Sequence, residues 1–353
     1  MPVPTDGDRR NVVSRGPLGA ALNSYRLALG GAPLGNLFRA VAPEQAHAVV
    51  RGALAAGLRY IDTAPHYGHG LSELRIGEAL AGVPRDSFLL STKVGRLLVT
   101  DASAPREQFG YVDTPKVVQR YDYTGDGVRR SLDDSRARLR VDRIDIVYVH
   151  DIDRETHGSM HPARLADALD GALPALAELK RQGAIRAFGL GVNDVRICLD
   201  LLRHADLDVI LLAGRYTLAD QTALAELLPE CERRGVAIVL GGAYNSGILV
   251  TGARPADGST PYFNYAPAPR AIVERVSAIE AVCREFEVPL AAAALQFPRA
   301  HPAMATVVVG VRSVAELDAS LRWSAHAIPA AFWQALRERG LVDASAPLPG
   351  EAS

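Results

Sequence analysis

Short runs of apolar, often β-branched residues alternate with helix-like stretches about eight times along this chain of 353 residues. Parallel strands need helical crossovers between them, so this alternation is typical of βαβ units. No linker divides the chain, no internal repeat is evident, and no G-x-G-x-x-G follows an early strand. We therefore predict an α/β fold, a single (β/α)8 TIM barrel with long loops at its C-terminal face, rather than two doubly wound domains.

Hydrophobic periodicity and the positions of Pro and Gly give the expected elements. The predicted strands are Tyr25–Leu29, Tyr60–Thr63, Phe88–Val94, Ile144–His150, Ile185–Gly191, Val209–Ala213, Ala237–Gly241 and Thr306–Gly310. The predicted helices are Glu44–Ala56, Leu71–Leu80, Gly127–Arg140, Arg164–Gln182 with a kink at Pro174, Val195–His204, Ala223–Arg234, Arg270–Phe286, Leu290–Phe297, Val314–Trp323 and Ala330–Arg339. Gly95–Tyr121 and Gly242–Pro269 are expected to be long irregular loops. The barrel domain should span 23–343, between a flexible N-terminal segment, 1–22, and a flexible tail, 344–353.

Composition favours a small-molecule partner. With 48% apolar residues, 22% charged residues and a net charge of -1, the chain shows no sign of disorder or of a nucleic-acid surface. No run of about 18 apolar residues occurs, so no membrane segment is expected. The three cysteines have neither metal-ligand nor redox spacing, which suits a reducing compartment. We expect a cytoplasmic protein that is a monomer or a small homo-oligomer.

Lysine is rare in this chain, and one lysine stands in an unusual place. Of 39 basic residues only Lys93, Lys116 and Lys180 are lysine, and Lys93 lies inside the apolar run FLLSTKV. An ammonium group is compact and can exchange its proton when buried, whereas a guanidinium group is broad and stays charged. We interpret Lys93 as a chemical requirement, although chance could also leave a lysine there.

Four polar side chains are predicted to meet at one end of the barrel. Asp62, Lys93 and His150 end the second, third and fourth strands, and Tyr67 follows Asp62 in the stretch GLRYIDTAPHYG. A phenol with a pKa near 10 is a poor base at neutral pH, but a nearby cation favours the phenolate. Lys93 could supply that cation, with Asp62 stabilising its charge. His150 could orient the reacting oxygen, so the quartet suits proton transfer at a carbonyl or alcohol oxygen, although a strand-terminal Asp can also be only a cap or loop anchor.

The motifs YIDTAPHYG, SELRIGEAL, STKVG and DRIDIVYVHD, in this order, make the chain resemble the aldo-keto reductases over nearly its whole length. The resemblance places that family's catalytic tetrad on Asp62, Tyr67, Lys93 and His150, with Tyr67 as general acid and base. It also implies a nicotinamide cofactor and no metal. Hydride would move to or from the cofactor ring while the protein handles the proton.

The resemblance also suggests cofactor contacts, with departures from the family pattern. Many members carry G-V-S-N after the fifth strand to hold the carboxamide, whereas this chain has Gly189, Leu190, Gly191 and Val192, with Asn193 one place late. Asn193 is the expected substitute. Asn245, Ser246 and Gly247 match a turn that approaches the pyrophosphate in the family, and a plain tight turn is the alternative.

The segment VVVGVRSVAELDASL resembles the family's clamp for the adenosine phosphate. Gly310 stands where members that prefer NADPH often have Lys, and Glu316 where they have Arg. A carboxylate there would repel a 2′-phosphate and could accept a hydrogen bond from a free ribose hydroxyl. The prediction is therefore NAD rather than NADP, with Arg312 as the residue that could still favour NADP.

GRYTLAD, GAYNSGIL, HDID and STKVGRLL resemble the sugar 1-dehydrogenase branch of the family, whose members act on L-galactose, L-fucose or D-arabinose, and its relatives that act on pyridoxal. In that branch a cyclic aldose is oxidised at C1 to a lactone. Tyr67 would remove the hydroxyl proton while C1 gives hydride to NAD. Asp151 follows His150 where many carbonyl-reducing members have Trp, so it is a candidate substrate contact for a hydroxylated molecule or else a solvated loop acid.

Other functions are kept as alternatives. One is an aldehyde reductase that uses NADPH on substrates such as pyridoxal, and another is a nucleotide-binding regulatory subunit without turnover. A metal-dependent barrel enzyme is a third. His66, His69, His157 and His161 with Asp151 and Asp153 lack tight ligand spacing, however, so no metal site is expected.

Overall fold

The computed structural model describes residues 19, 21, 22, 25 and 27–351. Most of the predicted N-terminal segment 1–22 and the last two residues of the predicted tail lie outside this range. Arg26, within the predicted first strand, also lies outside it. The flexibility expected for the two termini and the domain bounds stay predictions.

Eight parallel strands form a closed barrel in the order β1-β8-β7-β6-β5-β4-β3-β2. Their bounds are β1 Leu27–Gly30, β2 Tyr60–Asp62, β3 Leu89–Val94, β4 Ile146–His150, β5 Ala187–Val192, β6 Val209–Ala213, β7 Ala237–Gly241 and β8 Met304–Gly310. Most of these strand residues are buried, which is the pattern expected when both faces of a parallel sheet are covered. The predicted (β/α)8 barrel is confirmed.

The α-helices of the described residues span Pro43–Ala55, Leu71–Ala79, Gly125–Leu139, Arg154–His157, His161–Asp167, Leu173–Arg181, Val195–Leu202, Leu227–Arg234, Ile248–Thr251, Arg270–Glu285, Leu290–Gln296, Val314–Ala325 and Ala330–Glu338. Most ends differ from the predicted ones by one or two residues. The helix predicted from Ala223 begins only at Leu227, because residues 222–226 form turns.

The helix predicted over Arg164–Gln182 is not regular. A π-helical segment, Ala168–Ala172, separates the helix His161–Asp167 from the helix Leu173–Arg181. Pro174 has no amide hydrogen, and its ring would meet the carbonyl group of the residue four positions earlier. A wider π turn relieves that conflict, so the distortion predicted at Pro174 takes the form of the segment just before it.

The two passages predicted to be irregular contain regular structure. Arg96–Thr100 and Val117–Tyr121 pair as an antiparallel hairpin directly after β3. Gly95, at φ 106, turns the chain from β3 into this hairpin, and a Cβ there would lie 2.2 Å from the Tyr123 ring. Gly242–Pro269 contains a 3-10 turn, a short helix and a two-stranded sheet, namely Asn245–Gly247, Ile248–Thr251 and Tyr262–Phe263 with Ala266–Pro267.

The described chain divides into two compact units. The first unit comprises Leu27–Leu211 and Val308–Asp318, and the second comprises Leu212–Val307 and residues 319–351. The first unit has a core of fully buried strand residues such as Leu29, Ile61 and Val147. The second has its own buried core, which includes Ile238 and Trp333.

The described residues contain neither a membrane-spanning helix nor a metal-ligand cluster. None of the described helices combines the length and the apolarity needed to cross a bilayer. No three or more His, Cys, Asp or Glu side chains are grouped in the described part of the chain so that they could hold a metal ion.

Candidate active site

The ends of β2, β3 and β4 bring the four predicted catalytic side chains together in the first unit. Lys93 is 1% exposed, and its Nζ donates to Asp62 Oδ2 at 2.7 Å and to the Thr63 carbonyl at 2.9 Å. The same nitrogen lies 4.5 Å from the centroid of the Tyr67 ring. The His150 ring meets the Tyr67 ring edge-on, with centroids 6.0 Å apart. A buried ammonium group therefore sits against the phenol, with an imidazole on another side of it.

Asp62 also accepts a hydrogen bond from a chain of buried hydroxyl groups, which the sequence did not indicate. Ser91 Oγ donates to Asp62 Oδ1 at 2.6 Å, and the Tyr60 hydroxyl lies 2.9 Å from both Ser91 Oγ and the Tyr148 hydroxyl. Burial raises the pKa of Asp62, while the Lys93 charge and the Ser91 hydrogen bond oppose that rise. Burial also raises the pKa of Tyr60 and of Tyr148, which keeps both phenols neutral donors. The alternation of β2, β3 and β4 points these side chains into the barrel interior.

The loop that carries Tyr67 is fixed by close backbone contact. Gly68 has φ 63, and a Cβ on it would lie 2.2 Å from the Gly35 carbonyl oxygen. Only glycine satisfies both the left-handed backbone and this contact. Ser72 donates its amide to the Tyr67 carbonyl at 3.1 Å and its hydroxyl to the Gly31 carbonyl at 2.7 Å. The loop after β2 is thereby attached to the loop after β1, which limits how far Tyr67 can move.

Gly191 gives the departure from G-V-S-N a structural reason. A Cβ at Gly191 would lie 3.2 Å from Lys93 Cε and 3.3 Å from Lys93 Cδ. The glycine therefore leaves room for the stem of the lysine. Asn193 comes directly after β5 and is half-buried. Its predicted contact with the cofactor stays a prediction.

His150 is a neutral group in this site. Burial lowers its pKa well below the usual range, and the charges of Lys93 and Arg96 lower it further. A neutral imidazole can donate or accept a hydrogen bond without changing its charge. Its Nε2 lies 3.5 Å from Asp151 Oδ2. His150 therefore suits a role in orienting a reacting oxygen rather than in supplying a charge.

Asp151 is ion-paired in the structure, which differs from a freely solvated loop acid, and its contact with substrate stays a prediction. Its side chain is 23% exposed, and Oδ2 accepts a 2.6 Å hydrogen bond from the Arg96 guanidinium group. Its backbone φ of 45 lies in the left-handed region, which is uncommon for a residue other than glycine. Asp153, in the same acidic loop, is fully buried and caps the helix Arg154–His157 by accepting from the Thr156 amide at 2.8 Å.

Glu316 and Arg312 lie at the N-terminus of the helix Val314–Ala325. Ser313 Oγ accepts from the Glu316 amide at 3.2 Å, and Glu316 Oε2 accepts from the Arg312 amide at 2.7 Å. This arrangement resembles a capping box, so Glu316 has a structural role in addition to the predicted one. Arg312 Nε is buried, and none of the described residues accepts a hydrogen bond from it. An unpartnered guanidinium nitrogen at a helix N-terminus fits an anionic group of a nucleotide. Gly310 packs against the Pro33 ring, which a Cβ would meet at 2.9 Å.

The predicted pyrophosphate turn, in the second unit, has left-handed backbone at three successive residues, Asn245, Ser246 and Gly247. The Asn245 side chain donates to the Gly214 carbonyl at 3.2 Å and accepts from the Thr217 hydroxyl. Ser246 Oγ accepts from the Tyr265 amide at 2.9 Å. Both side chains therefore hold the turn itself, and the predicted contact with the cofactor stays a prediction.

Comparison with known proteins agrees with this geometry. Residues 26–339 match the Aldo/keto reductase family. The chain belongs to this family. The recognition made from its motifs is confirmed, and as a member of the family the protein is an oxidoreductase of the kind that uses nicotinamide cofactors.

Individual relatives resemble this aldo-keto reductase over most of its length. Pyridoxal 4-dehydrogenase from Microbacterium luteolum is 42% identical over 90% of this chain and 94% of its own. D-threo-aldose 1-dehydrogenase from a Pseudomonas species is 41% identical over 92% and 96%. Among solved structures, the aldo-keto reductase AKR11C1 from Bacillus halodurans in its holo form has a TM-score of 0.68 and 25% identity, covering 91% of this chain and 93% of that one.

Proposed function

We propose that this aldo-keto reductase oxidises the C1 hydroxyl group of a cyclic aldose, of the L-fucose, L-galactose or D-arabinose type, to a lactone with NAD as the hydride acceptor. The observation that carries the proposal is the buried Lys93–Asp62 pair, with its nitrogen 4.5 Å from the centre of the Tyr67 ring. The relative named D-threo-aldose 1-dehydrogenase supports the choice of substrate.

Tyr67 acts as the general base in this reaction. Its phenolate oxygen takes the proton of the C1 hydroxyl group, and the C–O bond becomes the carbonyl of the lactone as the C1–H bond breaks. The bound cofactor supplies the acceptor for the hydride and its two electrons. Lys93 stabilises the phenolate because an ammonium group in contact with a phenol favours its charged form. Asp62 fixes the ammonium group, and neutral His150 donates a hydrogen bond to the substrate oxygen.

NAD is proposed over NADP because of Glu316. Its carboxylate lies at the N-terminus of the helix Val314–Ala325, in the segment that resembles the family's adenosine-phosphate clamp, and a 2′-phosphate bound beside it would be repelled. Replacing Glu316 with Arg should raise the ratio of NADP to NAD turnover by about tenfold. Glu316→Gln is the matched control, because it removes the charge but keeps an acceptor for the Arg312 amide. An unchanged ratio in both variants would exclude this electrostatic preference.

Pyridoxal is the second candidate substrate, either oxidised to its lactone or, as in an aldehyde reductase, reduced at its aldehyde group. The relative named pyridoxal 4-dehydrogenase favours it, and so do the aromatic rings of Tyr111 and Phe109 around His66, with centroids 5.4 and 5.6 Å away. Pyridoxal carries a hydroxymethyl group beside its aldehyde and can close to a cyclic hemiacetal. The same residues would then perform the same oxidation of a hemiacetal carbon to a lactone.

The test is the initial rate of NADH or NADPH formation with a panel of aldoses and pyridoxal, alongside Tyr67→Phe. We expect turnover of at least one cyclic hemiacetal with NAD. Tyr67→Phe should lower kcat roughly 10²- to 10⁴-fold, because it removes the group that accepts the proton. Near-full activity of this variant would show that another group transfers the proton. A cytoplasmic location and a state of monomer or small homo-oligomer belong to the same proposal.

A further inference from the structure

Arg96 is the centre of a buried polar cluster beside the catalytic residues. It begins the hairpin after β3, and its guanidinium group donates to Gln119 Oε1 at 3.1 Å, to the Tyr121 hydroxyl at 3.0 Å and to Asp151 Oδ2 at 2.6 Å. His66 Nδ1 lies 3.0 Å from the same Gln119 oxygen. We call His66, Arg96, Gln119, Tyr121 and Asp151 the Arg96 cluster.

The cluster faces the reacting groups. The His66 ring centroid lies 5.7 Å from that of His150 and 6.2 Å from that of Tyr67. Asp151 Oδ2 lies 3.5 Å from Nε2 of the His150 ring. A substrate whose reacting oxygen lies between Tyr67 and His150 therefore extends towards the Arg96 cluster.

The charges of the cluster cancel. Arg96 contributes one positive charge and Asp151 one negative charge, with the two groups in direct contact. His66 is neutral because burial lowers its pKa well below the usual range, and the Arg96 charge lowers it further. Gln119 and Tyr121 carry no charge. The Arg96 cluster is therefore polar but has no net positive charge that could attract an anion.

The Arg96 cluster also contains two buried hydrogen-bond donors without an acceptor among the described residues. Arg96 Nε and Gln119 Nε2 are buried, and neither has an acceptor within the part of the chain that the structure describes. The side chain of Arg96 is only 6% exposed. A buried donor without an acceptor costs free energy, so an acceptor oxygen brought by a ligand would be stabilising there.

We propose that Arg96 is a specificity-determining residue whose charge Asp151 neutralises, so that the enzyme accepts uncharged, hydroxyl-rich cyclic hemiacetals and rejects their carboxylate or phosphate analogues. The inference rests on the proposed function and names the class of substrate for that site. A buried guanidinium group without a partner would bind an anion in a bidentate way. With Asp151 in place, the charge of Arg96 is already neutralised, so an added anion finds no unpaired cation to offset the cost of its desolvation. An uncharged sugar hydroxyl group has a much smaller desolvation cost.

The experiment compares each neutral aldose that the enzyme turns over with the uronic acid of the same ring, such as L-galactose with L-galacturonate. Each uronate is measured both as a substrate and as a competitive inhibitor. Wild-type enzyme should favour the neutral member by at least about tenfold in kcat/KM. Asp151→Asn frees Arg96 and should reduce that preference, and tighten inhibition by the uronate, by about tenfold.

Asp113→Asn is the matched control. Asp113 pairs with Arg106 at 3.3 Å in the same hairpin, but both side chains are 61% exposed. This variant should keep the wild-type ratio. If Asp151→Asn does not fold, the double variant Arg96→Gln with Asp151→Asn removes both charges at once. It should bind uronates no more tightly than wild type does.

Each outcome has a clear meaning. Equal use of neutral and anionic sugars by the wild type overturns the inference, and so does an unchanged preference in folded Asp151→Asn. Tighter uronate binding in the double variant would also overturn it, because Arg96 would then not be the anion-binding group. A wild-type enzyme that turns over no aldose and no pyridoxal contradicts the proposed function, and the inference falls with it.

Discussion

A buried carboxylate lies among cations at each end of strands β3 and β4, but the cations differ between the carboxyl end and the amino end. At the carboxyl end, Asp62 meets the single ammonium group of Lys93, with Tyr67 and His150 beside them. At the amino end, Asp145 is fully buried directly before β4. Among the described residues, the cations that face its carboxylate are all guanidinium groups, those of Arg85, Arg143 and Arg186.

The amino end also ties the strands together through the backbone. Asp145 Oδ2 accepts from the Leu90 amide at 2.9 Å, and the Asp145 amide donates to the Leu90 carbonyl at 2.9 Å. The Asp145 carbonyl accepts from the amides of Arg186 and Ala187. Guanidinium groups stay protonated near neutral pH and cannot act as proton donors or acceptors in a reaction. We therefore infer that this cluster has a structural role. The carboxyl end instead combines groups that can move a proton, which agrees with the usual division of a barrel into a stable and a reactive face.

We expect the largest effect on catalytic activity from replacing Lys93 at the carboxyl end. Lys93→Met should lower kcat by at least roughly 10²-fold, because the phenolate of Tyr67 loses its stabilising cation. Activity should recover in part towards about pH 10, where an ordinary phenol ionises by itself. The measurement is a pH–rate profile from pH 6 to 10. Lys93→Arg should not rescue activity, since the lysine stem already fills the space beside Gly191. Rescue by Arg would mean that charge alone matters.

The next effect should appear in stability and not in chemistry. Asp145→Asn removes the anion that three guanidinium groups share, and it should lower the free energy of unfolding by about 2 kcal/mol. The value allows for the partial exposure of the arginines. Denaturant unfolding gives the stability, and kcat/KM near the wild-type value would support a purely structural role. A large loss of kcat in a folded variant would remove the distinction between the two ends.

Acid should destabilise the carboxyl end through its two buried histidines, His66 and His150. His66 and His150 have pKa values well below the usual range in the folded protein, whereas in the unfolded chain they return to about 6.5. The unfolded state then binds more protons, so stability is fully present above about pH 6.5 and is lost below it, by about 1.4 kcal/mol per pH unit for each histidine. Unfolding experiments between pH 7 and 5 measure this slope. His150→Asn should reduce the slope by one proton, and an unchanged slope would contradict the neutral, buried state.

We expect the smallest effect from a substitution that reduces the space beside the Lys93 side chain. Gly191→Ala places a methyl group 3.2 Å from Lys93 Cε, closer than most carbon contacts. The lysine stem has to shift by a few tenths of an ångström, and we expect a loss of a few-fold in kcat with little change in KM for the substrate. Gly183→Ala is a control in an open turn, where a methyl group meets no other atom, although its φ of 74 is itself unfavourable for alanine. Equal kcat in both variants would show that the position of Lys93 tolerates the shift.

The strands and the meeting of the four candidate catalytic side chains could be predicted because their signals are local. A buried run such as FLLSTKV has one readable pattern, and a polar residue at its end projects towards the carboxyl face of any parallel barrel. The hairpin after β3 was missed because its strands pair only with each other and carry the mixed sequence RLLVT and VVQRY. The role of Gly191 was also missed, since the stem that needs the space belongs to Lys93, 98 positions away in the sequence.

By itself the sequence determined the barrel, its family and the order in which the four candidate catalytic residues occur, because periodicity and short motifs are properties of neighbouring residues. Only the tertiary structure decided that Ser91 holds the second oxygen of Asp62, that Asp151 pairs with Arg96, and that Glu316 caps a helix. Hydrogen bonds and ion pairs depend on distances of about 3 Å between atoms. The folded chain sets such distances between residues far apart in sequence, and no local pattern records them.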